Sequence, residues 1–258
     1  MSSVPADLSG PTILIIGASR GLGHGLAAGF IGRRWNVIGT VRGTARTDLH
    51  DLADAHPDRV TIETLDIDQP EQIAALRDRL SGRAIDVLFV NAGTTTHDQN
   101  VLIGTVPTEE FVRVMVTNTL SPMRAIEALQ DLVPADGLIG VMSSGQGSIA
   151  NNEVGMREVY RSSKAALNMA MRSFAARQPA PRRAARCWCW RRAGSAPISA
   201  APTRPSRWRK ACRCWSTCCS PNACGLGWNI STAMGGRWRG ESMRPTGMMG
   251  NKSVSMIW

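Results

Sequence analysis

Short apolar runs alternate with amphipathic stretches through the first 178 residues of the chain. Thr12–Ile16 is apolar, rich in β-branched residues and followed by a glycine cluster, which is typical of a buried parallel strand. Apolar residues then recur at near-helical spacing from Leu22 to Arg34, and a second short apolar run covers Val37–Val41. A strand, a helix and a strand in succession predict a βαβ unit.

The same alternation continues to residue 177. Its pattern predicts further strands and helices, the strands at 59–65, 85–90 and 137–142 and the helices at 70–80, 108–132 and 158–177. Regular alternation of this kind implies a parallel sheet with helices on both faces. The predicted fold class is therefore α/β, a single domain with a Rossmann-type doubly wound parallel sheet.

Composition divides the chain into two regions near residue 178. Residues 1–178 contain 16 Lys and Arg against 19 Asp and Glu, whereas residues 179–258 contain 14 Lys and Arg and one acid, Glu241. All seven cysteines and seven of the eight tryptophans also lie in residues 179–258, which we call the C-terminal region. The C-terminal region has a net charge of +13 and residues 1–178 have −3, so the overall +10 does not indicate an anionic partner for the α/β domain.

The chain shows no sign of membrane insertion or secretion. No apolar run approaches the roughly 18 residues of a membrane helix, and residues 1–10 lack the basic and apolar blocks of a secretory signal. We therefore expect a cytoplasmic protein with no membrane partner.

A glycine cluster lies where the first strand becomes the first helix. Glycines there let backbone N–H groups and the positive end of the helix approach a pyrophosphate, although a tight strand-to-helix turn would also use them. The spacing, Gly-x3-Gly-x-Gly, resembles that of the short-chain dehydrogenase/reductase family. The resemblance implies cofactor contacts from Gly17, Ser19, Arg20, Gly21, Leu22 and Gly23.

Two further segments resemble family motifs, and both follow predicted strands. Asp66-Ile67 follows the third strand and is similar to the family's adenine-contacting pair, and Asn91-Ala92-Gly93 follows the fourth and matches its Asn-Ala-Gly motif. Open α/β sheets bind ligands at the carboxyl ends of their strands, which is where these segments are expected. Both are therefore predicted to contact the cofactor.

The candidate catalytic residues are Tyr160, Lys164, Ser144 and Asn118. A Tyr and a Lys four apart share a helix face, so the ammonium can stabilise the ionised phenol, although solvated helix faces often show this spacing by chance. Tyr160 is the chain's one tyrosine. The resemblance implies that Tyr160 donates a proton to a substrate carbonyl, Lys164 holds the nicotinamide ribose, Ser144 binds the carbonyl oxygen and Asn118 places a relay water.

One departure from the family pattern points to a subgroup. Ser144 precedes Tyr160 by sixteen residues, a few more than is usual, and Ser143 is the alternative serine. The C-factor and sniffer-type carbonyl reductases have a similarly long loop and a similar Tyr-Arg-x-Ser-Lys-Ala-Ala-Leu-Asn run. The chain resembles that subgroup.

The end of the second strand indicates which dinucleotide is bound. NAD enzymes place an acid there for the ribose 2′-hydroxyl, and here Val41 stands in its place. Arg42 follows, and with Arg20 it could hold a 2′-phosphate, unless both side chains simply face solvent. NADP(H) is therefore favoured over NAD(H).

The C-terminal region does not continue the family pattern. Residues 186–198 show neither strand alternation nor a helical period, where the family has an apolar strand and a Pro-Gly-x-Val-x-Thr segment. Cys and Trp codons begin with TG, and a one-base shift from Arg186 onward permits Leu-Leu-Val-Leu-Ala-Pro-Gly-Trp-Val-Arg-Thr-Asp-Ile. We therefore expect a frameshift between about residues 178 and 186, a poorly ordered C-terminal region and weak or absent turnover.

The resemblance implies hydride transfer with NADP(H) that interconverts a carbonyl and an alcohol on a small molecule. It also implies a homo-oligomer formed through the helices at 108–132 and 158–177. Two alternatives remain: a catalytically inactive signalling or interaction protein, and nucleic-acid binding by the basic C-terminal region, for which we expect no specificity. Cys-x-Cys at 187 and 212 lacks a paired Cys-x2-Cys unit, so no metal site is predicted.

Overall fold

The computed structural model describes residues 10–178 and the backbone of residues 187–190. The strands are β1 (Thr12–Ile16), β2 (Asn36–Val41), β3 (Val60–Thr64), β4 (Val87–Val90), β5 (Leu138–Met142) and β6 (Cys187–Trp190). The helices are α1 (Gly21–Ile31), α2 (Asp48–Ala55), α3 (Pro70–Arg79), α4 (Thr108–Met115), α5 (Ser121–Leu129) and α6 (Glu158–Arg177). Among the described helices, none combines the length and apolarity needed to cross a membrane.

The strands form one parallel sheet in the order β3-β2-β1-β4-β5-β6. The chain runs outward from β1 through β2 to β3, then returns to the other side of β1 and continues outward from β4. The point between β1 and β4, where the strand order reverses, is where doubly wound sheets bind their ligands. The predicted doubly wound α/β fold is confirmed.

The central strands are buried along their whole length. Every residue of β1, β2 and β4 is buried, which explains why these strands read as continuous apolar runs rather than as an alternating pattern. On one face of the sheet, α3, α5 and α6 pack against the strands in a single core cluster that includes Leu14, Leu76, Leu88, Ile126 and Phe174.

The helix predicted at 108–132 is interrupted. Between α4 and α5, Val116–Leu120 forms a π-helical turn, and a short 3₁₀ turn, Gln130–Leu132, follows α5. Pro122 lies in the first turn of α5 and lacks an N–H, so it cannot donate the α-helical hydrogen bond to the carbonyl of Asn118. The regular ladder therefore stops at the predicted catalytic asparagine.

Two other elements differ from the sequence-based expectation. The short helix α2 was not predicted, because it is polar and buries only Leu49. Residues 186–198 show no strand alternation in the sequence, yet the backbone of Cys187–Trp190 pairs in parallel with β5. Aromatic residues favour strands, and β5 would otherwise present an unpaired edge. The predictions of a frameshift, disorder and non-specific nucleic-acid binding concern residues that lie outside the described part.

Candidate active site

The glycine loop after β1 is pressed against its neighbours. At Gly17, where φ is +87°, an added Cβ would lie 2.8 Å from the backbone nitrogen of Ala92, and at Gly23 it would lie 2.0 Å from the carbonyl oxygen of Gly17. The N–H of Gly17 donates to Oγ1 of Thr40 at 2.9 Å. The first and last glycines therefore allow close backbone packing of the loop on β2 and on the segment after β4.

The N-terminus of α1 is open toward the switch point. Its N-cap residue, Arg20, makes no side-chain capping bond, and the first turn contains no acidic residue. Gly21 has φ of +58°, and an added Cβ would meet no atom within 4 Å, while Leu22 is 38% exposed. Uncapped N–H groups at a positive helix end suit a phosphate, so Ser19 to Leu22 form a cradle that fits the pyrophosphate of a dinucleotide.

Arg20 lies within this cradle, and a second exposed arginine, Arg42, lies at the end of the neighbouring strand β2. Arg20 follows β1 and Arg42 follows the neighbouring β2, and neither side chain has an ion-pair or hydrogen-bond partner among residues 10–178. Arg46, by contrast, is engaged by Asp51 and Asp54. Unpartnered guanidiniums at adjacent strand ends provide the donors that a 2′-phosphate requires.

The predicted adenine-side segment follows β3 directly. Ile67 is buried, and the backbone N–H of Asp66 donates to Oε1 of Gln72 at 2.8 Å. The carboxylate of Asp66 accepts the N–H of Asp68 at 3.1 Å. The segment is therefore fixed by local hydrogen bonds at the same edge of the sheet as the glycine loop.

The Asn-Ala-Gly motif connects the two halves of the sheet. Nδ2 of Asn91 donates to the carbonyl oxygen of Gly17 at 2.7 Å, so this side chain holds the glycine loop from across the switch point. At the exposed Gly93, an added Cβ would lie 3.2 Å from Oδ1 of Asn118 and 3.4 Å from Nζ of Lys164. Gly93 thus leaves open the space in front of two predicted catalytic residues.

Tyr160 and Lys164 lie together on α6, as their spacing predicts. Nζ of Lys164 lies 5.8 Å from the centroid of the Tyr160 ring and donates to the carbonyl oxygen of Met142, at the end of β5, at 2.9 Å. Lys164 is 3% exposed, whereas Tyr160 is half-buried, and the described residues offer its phenol oxygen no hydrogen-bond partner. A buried ammonium therefore lies beside a phenol that is open to a ligand.

The turn that leads into α6 has an unusual backbone. Gly155, Met156 and Arg157 have successive φ values of +68°, +53° and +54°. Only the first is a glycine, and a left-handed conformation costs other residues about 1 kcal/mol or more each. The guanidinium of Arg161 donates to the carbonyl oxygen of Met156 at 2.8 Å and stabilises this turn, which sets the direction of the helix that carries Tyr160.

Asn118 is fully buried in the π-helical turn, and its side chain is committed to the protein. Nδ2 donates to the carbonyl oxygen of Thr94 and to Oγ of Ser163, both at 2.9 Å, and Oδ1 accepts the N–H of Thr94 at 2.7 Å. Oγ of Ser163 in turn donates to the carbonyl oxygen of Tyr160. Asn118 therefore fixes the loop after β4 against the helix of Tyr160.

The two candidate serines have different surroundings. Oγ of Ser143 is buried and donates to Oδ1 of Asn168 at 2.6 Å. Oγ of Ser144 is half-buried and accepts the N–H of Gln146 at 3.2 Å, so its hydroxyl hydrogen remains available. Ser144 is therefore the serine that can donate to a substrate.

Sequence reasoning missed a clamp on the loop after β4. Arg113 donates to Oγ1 of Thr94 at 3.0 Å and to the carbonyl oxygen of Thr95 at 2.9 Å. Hydrogen bonds from Arg113, and next from the backbone N–H of His97, lower the pKa of Glu110 to about 2. The three-residue spacing of Glu110 and Arg113 on a helix was the available signal.

A family model, described as short chain dehydrogenase, matches residues 11–182. Among curated proteins, the chain is 32% identical over 166 residues to 1-hydroxy-2-glutathionyl-2-methyl-3-butene dehydrogenase of Rhodococcus sp. (strain AD45). That match covers 63% of this chain and 69% of the relative. The chain spans between 35% and 60% of the length of six further curated relatives.

Solved structures resemble the chain over the same region. A protein described as a short-chain dehydrogenase/reductase from Burkholderia multivorans, with bound NADP, is 67% identical with a TM-score of 0.64, covering 65% of this chain and 73% of that one. A carbonyl reductase from Pseudomonas aeruginosa PAO1 in complex with NADP is 32% identical with a TM-score of 0.62, covering 65% and 76%. The chain belongs to the short-chain dehydrogenase/reductase family of oxidoreductases.

Proposed function

We propose that this protein interconverts a carbonyl and an alcohol on a small molecule with NADP(H). The observation that carries the proposal is the arrangement at the switch point. The open N-terminus of α1 lies at the carboxyl ends of the central strands. There the phenol of Tyr160, which has no hydrogen-bond partner among the described residues, lies beside the ammonium of Lys164. An anion cradle and a proton donor at one edge of the sheet are what hydride transfer to a carbonyl requires from a protein.

Each catalytic side chain has a defined task in reduction. Bound NADPH would supply the hydride for the carbonyl carbon. Tyr160 donates its phenol proton to the carbonyl oxygen, and the nearby ammonium of Lys164 stabilises the phenolate that remains. Ser144 donates a hydrogen bond to the same oxygen as negative charge develops on it. In the direction of oxidation, the phenolate accepts the proton of the alcohol.

The cofactor is NADP(H) rather than NAD(H). Two observations support this choice: Arg20 and Arg42 have no partners among residues 10–178, and Val41 stands where NAD enzymes have an acid. The NADP found in the Burkholderia multivorans and Pseudomonas aeruginosa relatives supports it as well.

We place the protein with the C-factor and sniffer-type carbonyl reductases. The Tyr160–Asn168 run and the sixteen-residue separation of Ser144 from Tyr160 support this assignment, as does the similarity to a carbonyl reductase. Asn168, the last residue of the run, binds the hydroxyl of Ser143. That contact gives the motif a structural role in the loop that borders the substrate site.

The protein forms a homo-oligomer through the helices at 108–132 and 158–177. Val112, Leu120 and Met169 on these helices are 44% to 56% exposed, which is unusual for three large apolar side chains on two neighbouring elements. A second copy would cover them. A cytoplasmic location accompanies this proposal as a prediction.

The C-terminal region is the product of a frameshift. The family match ends at residue 182, and the 67% identity to the Burkholderia multivorans protein covers only 65% of this chain, so the similarity stops where the composition changes. Resequencing the gene across codons 175–190 tests the proposal. An extra or missing base would show that a complete reductase is encoded. Confirmation of the bases would mean that the altered region is genuinely encoded.

The function is tested by fluorescence titration with NADPH and NADH, followed by NADPH oxidation with a panel of small aldehydes and ketones. We expect NADPH to bind more tightly than NADH. Carbonyl-dependent oxidation should be slower than about 1 per second, because the family's substrate-covering segment is not encoded in the printed frame. Failure to bind either dinucleotide would overturn the proposal.

A further inference from the structure

A carboxylate outside the predicted site holds the turn that carries Asn118. Oδ2 of Asp68 accepts the hydroxyl of Thr117 at 2.6 Å, and Oδ1 accepts the hydroxyl of Ser121 at 2.7 Å. Thr117 directly precedes Asn118, and Ser121 is the first residue of α5. One carboxylate therefore bridges both ends of the π-helical segment.

These contacts are external to the helix. Within a regular helix, Ser and Thr hydroxyls commonly bond to the carbonyl four residues earlier, whereas here both donate to another segment of the chain. A π-helical turn has poor intrinsic stability. In addition, Pro122 has no N–H to donate to the carbonyl of Asn118. Two hydrogen bonds to a charged acceptor are strong enough to stabilise such a turn.

The turn controls the loop in front of the active site. The side chain of Asn118 makes two hydrogen bonds to the backbone of Thr94, which follows Gly93. A shift of the turn would therefore move both Asn118 and this loop.

Asp68 also belongs to the segment that follows β3. Its own N–H donates to the carboxylate of Asp66 at 3.1 Å. The segment assigned to the adenine end of the cofactor is thus joined by one residue to the turn at the catalytic end.

We propose that Asp68 is a positioning residue that fixes Asn118 and the loop after β4 from the adenine side of the cofactor site. The link to the cofactor rests on the proposed function, whereas the positioning of Asn118 does not.

The test is amide hydrogen exchange of the full chain, resolved to single residues by NMR. Asp68→Ala should raise the exchange rate of the Thr94 amide and of the amides of Val116–Leu120 by about tenfold or more, because two charge-assisted hydrogen bonds are lost. Thr117→Val and Ser121→Ala, which each remove one bond, should have smaller effects in the same direction. These milder variants decide the matter if Asp68→Ala fails to fold.

The matched control is Ile13→Val in β1. Ile13 is buried, and because successive strand residues face opposite sides of the sheet, it lies on the face away from Leu14 and the cluster that contains Ile67. The Ile13→Val variant should have a lower melting temperature without a selective change in the exchange rate of the Thr94 amide. Asp68→Asn keeps one acceptor oxygen but loses the charge and the second acceptor, so its exchange rates should lie between those of the unsubstituted chain and those of Asp68→Ala.

Unchanged exchange at Thr94 in all three Asp68, Thr117 and Ser121 variants would overturn the proposal. So would an equal increase in the Ile13→Val control. The same samples are titrated with NADPH. If the unsubstituted chain does not bind NADPH, the proposed function is contradicted, but the exchange result remains valid. The two failures are therefore distinguishable.

Discussion

The cofactor half of the sheet, β1 to β3, and the catalytic half, β4 to β6, prepare their ligand-binding groups differently. In the first half, backbone N–H groups at the start of α1 and two arginine side chains are left without partners in the described part of the chain. In the second half, the buried side chains of Asn118, Ser143 and Lys164 are engaged in hydrogen bonds with the protein. Among the predicted catalytic side chains in the described part of the chain, the hydroxyls of Tyr160 and Ser144 are available to donate.

This difference fits the proposed role of each half. Binding an anion requires donors that the protein does not use itself, and a glycine loop at a helix N-terminus provides them. Transferring a proton at a defined atom requires a rigid frame with very few free groups. The comparison therefore predicts that substitutions in the first half change cofactor affinity, whereas those in the second change turnover or folding stability.

The largest effect in the cofactor half is expected from Gly23→Ala. Its Cβ would lie 2.0 Å from the carbonyl oxygen of Gly17, so the loop must move, and we expect NADPH affinity to fall by about a hundredfold or more. Gly25→Ala is the matched control on the same helix, because its Cβ meets nothing within 4 Å. That variant should bind normally and gain up to about 1 kcal/mol of stability. Similar NADPH affinity in both variants, measured by fluorescence titration, would refute the role of the loop.

Arg42→Ala should weaken NADPH binding by about ten- to a hundredfold while leaving NADH binding unchanged, because only NADPH carries the 2′-phosphate. Arg46→Ala is the control, since that side chain is engaged by Asp51 and Asp54. Titration with both cofactors measures the change in preference. An equal loss for NADPH and NADH would show that Arg42 does not read the phosphate.

In the catalytic half, Ser144→Ala and Ser143→Ala should separate turnover from stability. Ser144→Ala removes a donor to the substrate oxygen and should lower kcat by about tenfold or more with little change in melting temperature. Ser143→Ala leaves Asn168 without its buried donor and should cost about 1–3 kcal/mol of stability. Kinetics and thermal melts on both variants test this assignment. It would be excluded if Ser143→Ala lowered kcat and Ser144→Ala lowered stability.

The smallest expected effect concerns acid stability. Hydrogen bonds from Arg113 and from the N–H of His97 lower the folded-state pKa of Glu110 from 4.5 to about 2. A lowered folded-state pKa contributes stability that is present above the unfolded value and lost as pH falls through the folded value. The chain should therefore lose stability between pH 4.5 and 2, and Glu110→Gln should lose less over that window. Denaturant melts of both proteins at each pH measure the free energy of unfolding. An equal loss of that free energy in the two proteins over this window would contradict the prediction.

The sequence predicted the parts of the fold and site that depend on local pattern. The apolar runs of β1, β2 and β4, the glycine loop and the helix of Tyr160 and Lys164 all follow from spacing within short segments. Hydrogen bonds between distant side chains were missed, because local pattern does not reveal them. Asp68 and Thr117 are 49 positions apart, and Ser143 and Asn168 are 25 apart. The strand β6 was missed because its stability comes from pairing with β5 rather than from its own pattern.

The central claim is that Tyr160 donates the proton in an NADP(H)-dependent reduction. Its most direct test is Tyr160→Phe, compared with the unsubstituted chain by NADPH titration and carbonyl-dependent NADPH oxidation. We predict equal NADPH affinity and a loss of turnover of about a hundredfold or more, because the ring is retained and only the proton donor is removed. Measurable turnover that is equal in the two proteins would contradict the claim.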